Sequence, residues 1–246
     1  MPAPDPLAAL ADGLIRQAFL FVPAAQTRGL LGEPAFAAWP AFAQSWGRLE
    51  LDNYMGDGGR YRRRRYATLA AAPAPAQPVL QPHQPHYQSL DYNRLNGGIA
   101  RHFAPVEEDV MTGATMQAAL SLGLAIFRAL HPERAAHIEV HQFRIEARAG
   151  AIGQPTPEGK HRDGVDFVLV MMVRRSNVAS GTTEIFDTAG HRIDSFTLTE
   201  PGDMALVDDH RALHGVTAVS PLDPARPAWR DVLVATYRAT EGRPAG

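Results

Sequence analysis

The chain contains no cysteine, and that one absence removes disulfides, thiolate metal sites, iron–sulfur clusters and a cysteine nucleophile from consideration. Charge of one sign is also scarce: 24 lysines and arginines stand against 26 aspartates and glutamates, a formal net charge of −2. Neither a nucleic-acid partner nor an acidic membrane surface is expected from that balance. Long hydrophobic runs are missing too. The longest uncharged helical-looking stretch, Met111 to Phe127, contains Gly113 and Gln117 and falls short of the roughly 18–20 apolar residues of a membrane span. The start, Met1-Pro-Ala-Pro-Asp-Pro6, lacks the basic residues of a signal peptide, and Asp12 and Arg16 interrupt the apolar residues after it, so no export signal is expected. There is no internal repeat. A single cytoplasmic domain spanning residues 1–246 is the expectation, with 45% hydrophobic residues to build one large core.

Helical signals fill the first half. Leu7, Leu10, Leu14, Ala18 and Phe21 recur at helical spacing, predicting an amphipathic helix over 6–21 that Pro23 ends. A second helix is predicted over 34–46, with Phe36, Trp39, Phe42 and Trp46 as a core-facing stripe. Residues 1–48 thus form a helical cover. Glu107, Glu108 and Asp109 then place acids in the first turn of a helix running to Leu130, with Arg128 and His131 at its end.

Strand signals fill the rest. Ala136–Ala147, Val165–Arg174, Gly181–Asp187, Arg192–Thr199, Asp203–Val207, Leu213–Val219 and Arg230–Ala239 are short β-rich segments separated by turn residues. Many short strands after a helical half predict an α+β chain with a mainly β core: a jelly-roll or cupin-like double sheet over 49–240, with the N-terminal helices and the inserted helix at about 107–130 packed on one sheet. Residues 70–86, with prolines at 73, 75, 78, 82 and 85, read as an extended surface crossing, and His83 and His86 at its end as part of a plain loop.

The chemistry centres on His161-Arg-Asp163-Gly164, leading into the apolar run Val165–Val173. Side chains two apart at a strand entry project to one side, so His161 and Asp163 can converge as metal ligands. His214, 51 residues after Asp163 and followed by a glycine, supplies a third. Two imidazoles and a carboxylate on one face of a metal leave the other positions open, the arrangement of non-haem Fe(II) oxygenases. A bare His-x-acid motif is cheap, and there are two others. His131-Pro-Glu133 straddles a helix end, whereas His137, Glu139 and His141 share one face of a strand and form a rival cupin-type cluster. His210, in a turn, competes for the distal position. Arg230, sixteen residues after His214, opens a strand and can grip a carboxylate through a two-bond fork, with Arg238 of the same parity as second choice. Five arginines lie between Arg60 and Arg65; an extended chain there would turn Arg60, Arg62 and Arg64 to one face, where they, or Arg144 on its own strand, can hold a substrate carboxylate.

Several stretches in order, Tyr61-Arg-Arg-Arg-Arg-Tyr66, Gln88-Ser-Leu-Asp-Tyr-Asn93, Gly97-Gly-Ile-Ala-Arg101, His161-Arg-Asp-Gly164, Gly181-Thr-Thr-Glu-Ile-Phe-Asp187, Leu213-His-Gly-Val216 and Arg230-Asp-Val-Leu-Val234, resemble a known family over roughly residues 50–240. It is the 2-oxoglutarate/Fe(II) dioxygenase family that includes bacterial L-isoleucine 4-hydroxylase and the biofilm-stress-motility protein. The resemblance implies a double-stranded β-helix, Fe(II) as cofactor on His161, Asp163 and His214, 2-oxoglutarate as cosubstrate on Arg230, O2 as co-reactant and a small substrate, a free L-amino acid. A non-catalytic cupin-like small-molecule or metal-binding protein, and a peptide hydroxylase, are the other readings.

Overall fold

The computed structural model describes residues 5–240; the Met1–Pro4 start lies outside the described residues. Helix α1 covers Pro6–Gln17, with Asp5 capping it by accepting from the Leu7 amide. It stops four residues earlier than its apolar spacing predicts because Ala18 takes a left-handed backbone, φ 65°. Phe19–Val22 then becomes strand β1, pairing antiparallel with Met204–Val207. The predicted helix over 34–46 is split into α3 (Glu33–Ala37), α4 (Trp39–Gln44) and a 3₁₀ turn (Ser45–Arg48), preceded by α2 (Ala24–Leu31). Pro34 and Pro40 each sit in the first turn of a short helix, where a missing amide is tolerated.

Strands β2 (Glu50–Leu51), β3 (Arg62–Ala71) and β4 (Val79–Leu80) follow, so the arginine run is extended as expected. Extended Gly113 breaks the mid-chain helix into α5 (Glu108–Met111) and α6 (Ala114–Leu130). The remaining strands are β5 (Ala135–Ala147), β6 (Phe167–Ser176), β7 (Val178–Ser180), β8 (Thr183–Phe186), β9 (Arg192–Phe196), β10 (Met204–Asp208), β11 (Leu213–Val216), β12 (Val219–Pro221) and β13 (Ala228–Thr240).

The larger sheet has eight strands in the order β1-β10-β6-β13-β5-β3-β2, with β4 beside β3; the smaller layer is β11-β8-β9 together with the pair β12-β7. This is a mainly β jelly roll. Alternation on the long central strands divides the two faces. One face carries Ile138, Val140, Leu169, Met171, Leu233 and Tyr237, which pack with Leu14, Trp46, Met116, Leu120 and Phe127 of the helices in the main core. At Gly123 of α6 a methyl group would strike the Tyr237 hydroxyl, which donates to the Leu120 carbonyl at 3.1 Å; the helix seats on the sheet because that position is bare. On the other face, Ile185 and Phe196 of the smaller layer pack on Val168, Val207 and Val234. Between the layers, along β5 and β13 and beside the start of β3, a cavity remains.

Candidate active site

The cavity measures about 350 Å³ and is walled by β3, β5, β6, β13 and β11 and by the segments 86–101 and 155–165, within the range of small-ligand sites. Its walls follow from register. Arg62, Arg64 and Tyr66 on β3 lie opposite Ile145, Phe143 and His141 on β5, which lie opposite Arg230, Val232 and Val234 on β13, so all point to one side. The apolar wall is Val168, Val170, Val232 and Val234.

His161 and His214 are joined by reciprocal backbone hydrogen bonds of 3.0 Å. Asp163 returns toward both: its Oδ1 is 3.7 Å from His161 Nε2 and its Oδ2 3.5 Å from His214 Nε2. One donor atom from each residue lies within 4.8 Å of the other two. His161 and Asp163 precede β6, so they converge through a pinned turn rather than strand alternation. The pin is buried Asp209, whose carboxylate accepts from the amides of Asp163, Gly164 and Val165 at 3.0, 2.7 and 3.1 Å. Gly164 has φ 80°, and a side chain there would strike the Tyr92 ring. Gln88 Nε2 donates to Asp163 Oδ1 at 3.3 Å.

Charges in this cluster are mutually tuned. For Asp163, burial raises the pKa, but the imidazoles of His161 and His214 outweigh it and hold the carboxyl below its usual range. Burial lowers that of His161, yet Asp163 outweighs it and lifts the ring to about 9; burial, then the charge of His161, pushes His214 down to about 4. Burial, then the charge of Asp163, raises Asp209 to about 6.

The donor set fits a divalent metal. His161 Nδ1 lies 3.0 Å from the Gly159 carbonyl, to which it donates, so Nε2, which faces Asp163, is the nitrogen that would bind a metal once its proton is displaced, the pattern of a metal-ligating histidine. His214 Nδ1 is buried without a partner. Arg230 is 2% exposed with Nε and Nη2 also unpartnered, and burial, then Arg175, lowers its pKa to about 10. A buried guanidinium with idle donors is costly unless a ligand anion completes it. Gly181, at φ 75°, leaves room beside it, since a methyl there would meet Val219 at 2.9 Å and Arg230 Cδ at 3.5 Å. Arg238 lines the same cavity but is exposed at its far end.

A second trio, His86, Glu139 and His141, also brings its donor atoms within 4.8 Å. It differs from the strand cluster expected: His86 takes the place of His137, whose Nε2 is 3.5 Å from Glu139 Oε1. His86 is not in a plain loop; it exchanges backbone bonds with Arg101 and is 6% exposed. Its hydrogen bonding argues against a metal. Arg64 Nη2 is 2.6 Å from His141 Nδ1, and Arg101 Nη2 is 2.8 Å from His86 Nδ1. A guanidinium only donates, so both Nδ1 atoms accept and both Nε2 atoms carry the proton. Those N–H groups face Glu139 Oε2 at 3.3 and 3.7 Å, and Tyr66 donates to Oε1 at 2.9 Å. No histidine lone pair is left for an ion. Burial, then Arg64, lowers His141 to about 3; burial lowers His86; and for Glu139 burial is outweighed by the three histidines, which hold it well below its usual range.

The expected arginine clamp is only partly in the cavity. Arg62 and Arg64 line it, braced by Asp52 at 2.7 and 3.7 Å, and Arg64 lies between the Phe103 and Phe143 rings, 3.7 and 4.5 Å from their centroids. Arg60 is exposed in the turn before β3, and Arg144 is on the opposite sheet face, in a two-bond pair with buried Asp231 at 2.7 Å. Neither reaches the cavity. Arg101, not singled out from its residue type, does: it is 2% exposed, bonds His86 and Gln88 through Nη2, and has no carboxylate within ion-pair distance among the described residues. His210 is exposed and bound to Asp166 at 2.9 Å, away from the cavity.

A model of the 2OG-Fe dioxygenase family matches residues 43–236. The chain is 26% identical over 164 residues to 3(1)-hydroxy-L-isoleucine 4-dioxygenase of Pantoea ananatis (strain AJ13355), covering 65% of this chain and 66% of that enzyme, just under two thirds of its length. It is 24% identical over 197 residues to L-isoleucine-4-hydroxylase of Bacillus thuringiensis, covering 78% of this chain and 80% of that one. Among solved structures, a bsmA homolog from Methylobium petroleophilum PM1 superposes with a TM-score of 0.86 at 37% identity, over 100% of this chain and 98% of that one.

Proposed function

Because the chain belongs to the 2OG-Fe dioxygenase family, and is thus an Fe(II)- and 2-oxoglutarate-dependent enzyme, we propose that it hydroxylates an unactivated C–H bond of a free L-amino acid. His161, Asp163 and His214 hold the iron in this reading, and Arg230 holds the far carboxylate of 2-oxoglutarate. When bound, iron and cosubstrate supply the oxidising chemistry that consumes O2 and yields succinate and CO2. The remaining tasks fall to the chain. Gly159 and Asp209 keep His161 and Asp163 in position. Val168, Val170, Val232 and Val234 present an apolar wall that excludes water and suits an aliphatic side chain. Arg62, Arg64 and Arg101 line the same cavity and give it a positive potential for a substrate carboxylate.

The observation that carries the reading is Arg230, a buried guanidinium with idle donors in the same cavity as a His-Asp-His set whose donor atoms converge. An amino-acid substrate is favoured by the cavity's small volume beside a cationic wall, and by the isoleucine-acting relatives. The test is to incubate the enzyme with Fe(II), ascorbate, 2-oxoglutarate and each free L-amino acid, its amide or a short peptide containing it. A mass gain of about 16 Da on a free aliphatic amino acid, and not on its amide, is expected. Equal or better hydroxylation of the peptide would replace this reading with a peptide hydroxylase.

A further inference from the structure

Glu158 is a cavity-lining carboxylate with no part in holding the metal or 2-oxoglutarate. It lines the same cavity as Asp163 and Arg101, its side chain is 11% exposed, and its Oε2 is buried with no hydrogen-bond partner. The turn carrying it is fixed. Thr156 Oγ1 donates to the Val216 carbonyl and accepts from the Val216 amide at 3.1 and 2.9 Å, and the Gly159 amide donates to the Thr156 carbonyl at 2.9 Å. Its other oxygen, Oε1, is 3.8 Å from His161 Nδ1, too far for a hydrogen bond, and that ring's proton goes to Gly159.

Among the described residues the one cation within ion-pair distance of this carboxylate is His161, at 3.8 Å and without a hydrogen bond, and with a metal on Nε2 that ring is neutral. Lys160 donates to the Gly190 carbonyl, lying over the Phe186 ring. Arg101 is close enough for its charge to respond to Glu158, yet the two do not come within ion-pair distance. Glu139 cannot share the task, since its oxygens already face Tyr66, His86, His137 and His141. One cavity therefore holds, on one wall, a largely buried carboxylate with an unbonded oxygen and, on another, a buried guanidinium with an unbonded Nε that meets no carboxylate directly. A ligand with both charges can bond the idle atoms of each. An α-amino acid carries its ammonium and carboxylate on adjacent atoms and is such a ligand.

We propose that Glu158 receives the α-ammonium of the substrate while Arg101 receives its carboxylate, so that the enzyme selects free α-amino acids over carboxylic acids of the same skeleton. This rests on the amino-acid reading of the site and adds a specificity-determining residue to it.

The test uses the Fe(II)- and 2-oxoglutarate-loaded enzyme under anaerobic conditions and measures binding by calorimetry. Valine, leucine, isoleucine and methionine are screened, and the tightest is compared with its des-amino carboxylic acid. The wild type should bind the amino acid at least about 10-fold more tightly, and Glu158→Gln should lose about 10- to 100-fold for the amino acid and less than about 2-fold for the des-amino acid. Iron content and 2-oxoglutarate affinity should not change. The proposal is overturned if Glu158→Gln binds the amino acid like the wild type, or if it loses iron or weakens both ligands equally, which would make Glu158 a positioning residue for His161. The wild-type comparison does not depend on the variant folding, and equal binding of the two ligands there would overturn it as well. If the wild type binds no amino acid at all, the amino-acid reading falls and this proposal with it, a result distinct from a wild type that binds and a variant that does so unchanged.

Discussion

Arg64 donates from Nη2 to His141 Nδ1 at 2.6 Å, and that bond sets two adjacent three-ligand clusters apart in the proposed metal assignment. By occupying the lone pair it turns the His141 Nε2 proton toward Glu139, and Arg101 does the same to His86. The neighbouring pair is arranged the other way. His161 donates its Nδ1 proton to Gly159 and turns Nε2 toward Asp163, with no arginine on the ring. Two clusters of similar composition are therefore bonded differently: in one both histidine Nε2 atoms face Asp163 with no arginine on either ring, whereas the other is a closed network that bridges two buried arginines to a carboxylate.

Arg230 has the simplest consequence. A planar fork matched to a carboxylate is not reproduced by an ammonium, so Arg230→Lys should raise the KM for 2-oxoglutarate, and Arg230→Ala should raise it further. The loss of one charge-assisted pair, roughly 1.5–3 kcal/mol, corresponds to about 10- to 150-fold. Steady-state succinate formation at varied 2-oxoglutarate measures it. Iron content and amino-acid affinity should stay near wild type, whereas unchanged 2-oxoglutarate dependence would move the role to Arg238.

Arg101 and Arg144 should separate function from stability. Arg101→Gln should raise the KM for the amino acid by about 10-fold or more because it removes a cavity-facing charge. Arg144→Gln should leave that KM alone and lower unfolding stability. Asp231 is fully buried and keeps Arg174 at 3.0 Å, so the loss should be about 1–3 kcal/mol, below the full cost of breaking an isolated buried pair. Kinetics and urea unfolding on both variants test the division.

The histidine network predicts a pH dependence of stability. His141 has its pKa pushed down to about 3 by burial, then by Arg64, whereas an unfolded histidine titrates near 6.5. Between those values the unfolded chain holds the extra proton, so stability is complete above about pH 6.5 and falls as the pH drops toward 3. From pH 7 to pH 5 this residue should cost roughly 2 kcal/mol. Glutamine can accept from Arg64 and donate to Glu139 without titrating, so His141→Gln should remove that part of the slope. Urea unfolding of both proteins at pH 7 and pH 5 measures the difference.

Much of this arrangement can be read from the chain, and the parts that cannot have identifiable causes. The His-x-Asp pair, the distal histidine and Arg230 stand out because residue types with few structural uses recur at strand entries in order. The strand parity of β5 is also informative: His141 and Arg144 differ by three residues, so alternation alone sets them on opposite faces, which is why Arg144 meets Asp231 and not the cavity. His86, Arg101 and Glu158 are harder. Their roles depend on which irregular segment pairs with which, as in the reciprocal bonds of His86 with Arg101, and such pairings have no periodic signature. Asp209 resembles any acid in a turn until its carboxylate is seen receiving three successive amides. The early end of α1 turns on one left-handed residue, Ala18, whose type gives no such warning.

The most direct test of the metal assignment is anaerobic Fe(II) binding by the wild type, Asp163→Ala and Glu139→Gln, read as iron retained per chain after desalting. The two variants remove the carboxylate of one cluster each. Iron is expected on the wild type and on Glu139→Gln at the same stoichiometry, and none on Asp163→Ala. Iron kept by Asp163→Ala and lost from Glu139→Gln would contradict the assignment and place the metal on His86, Glu139 and His141.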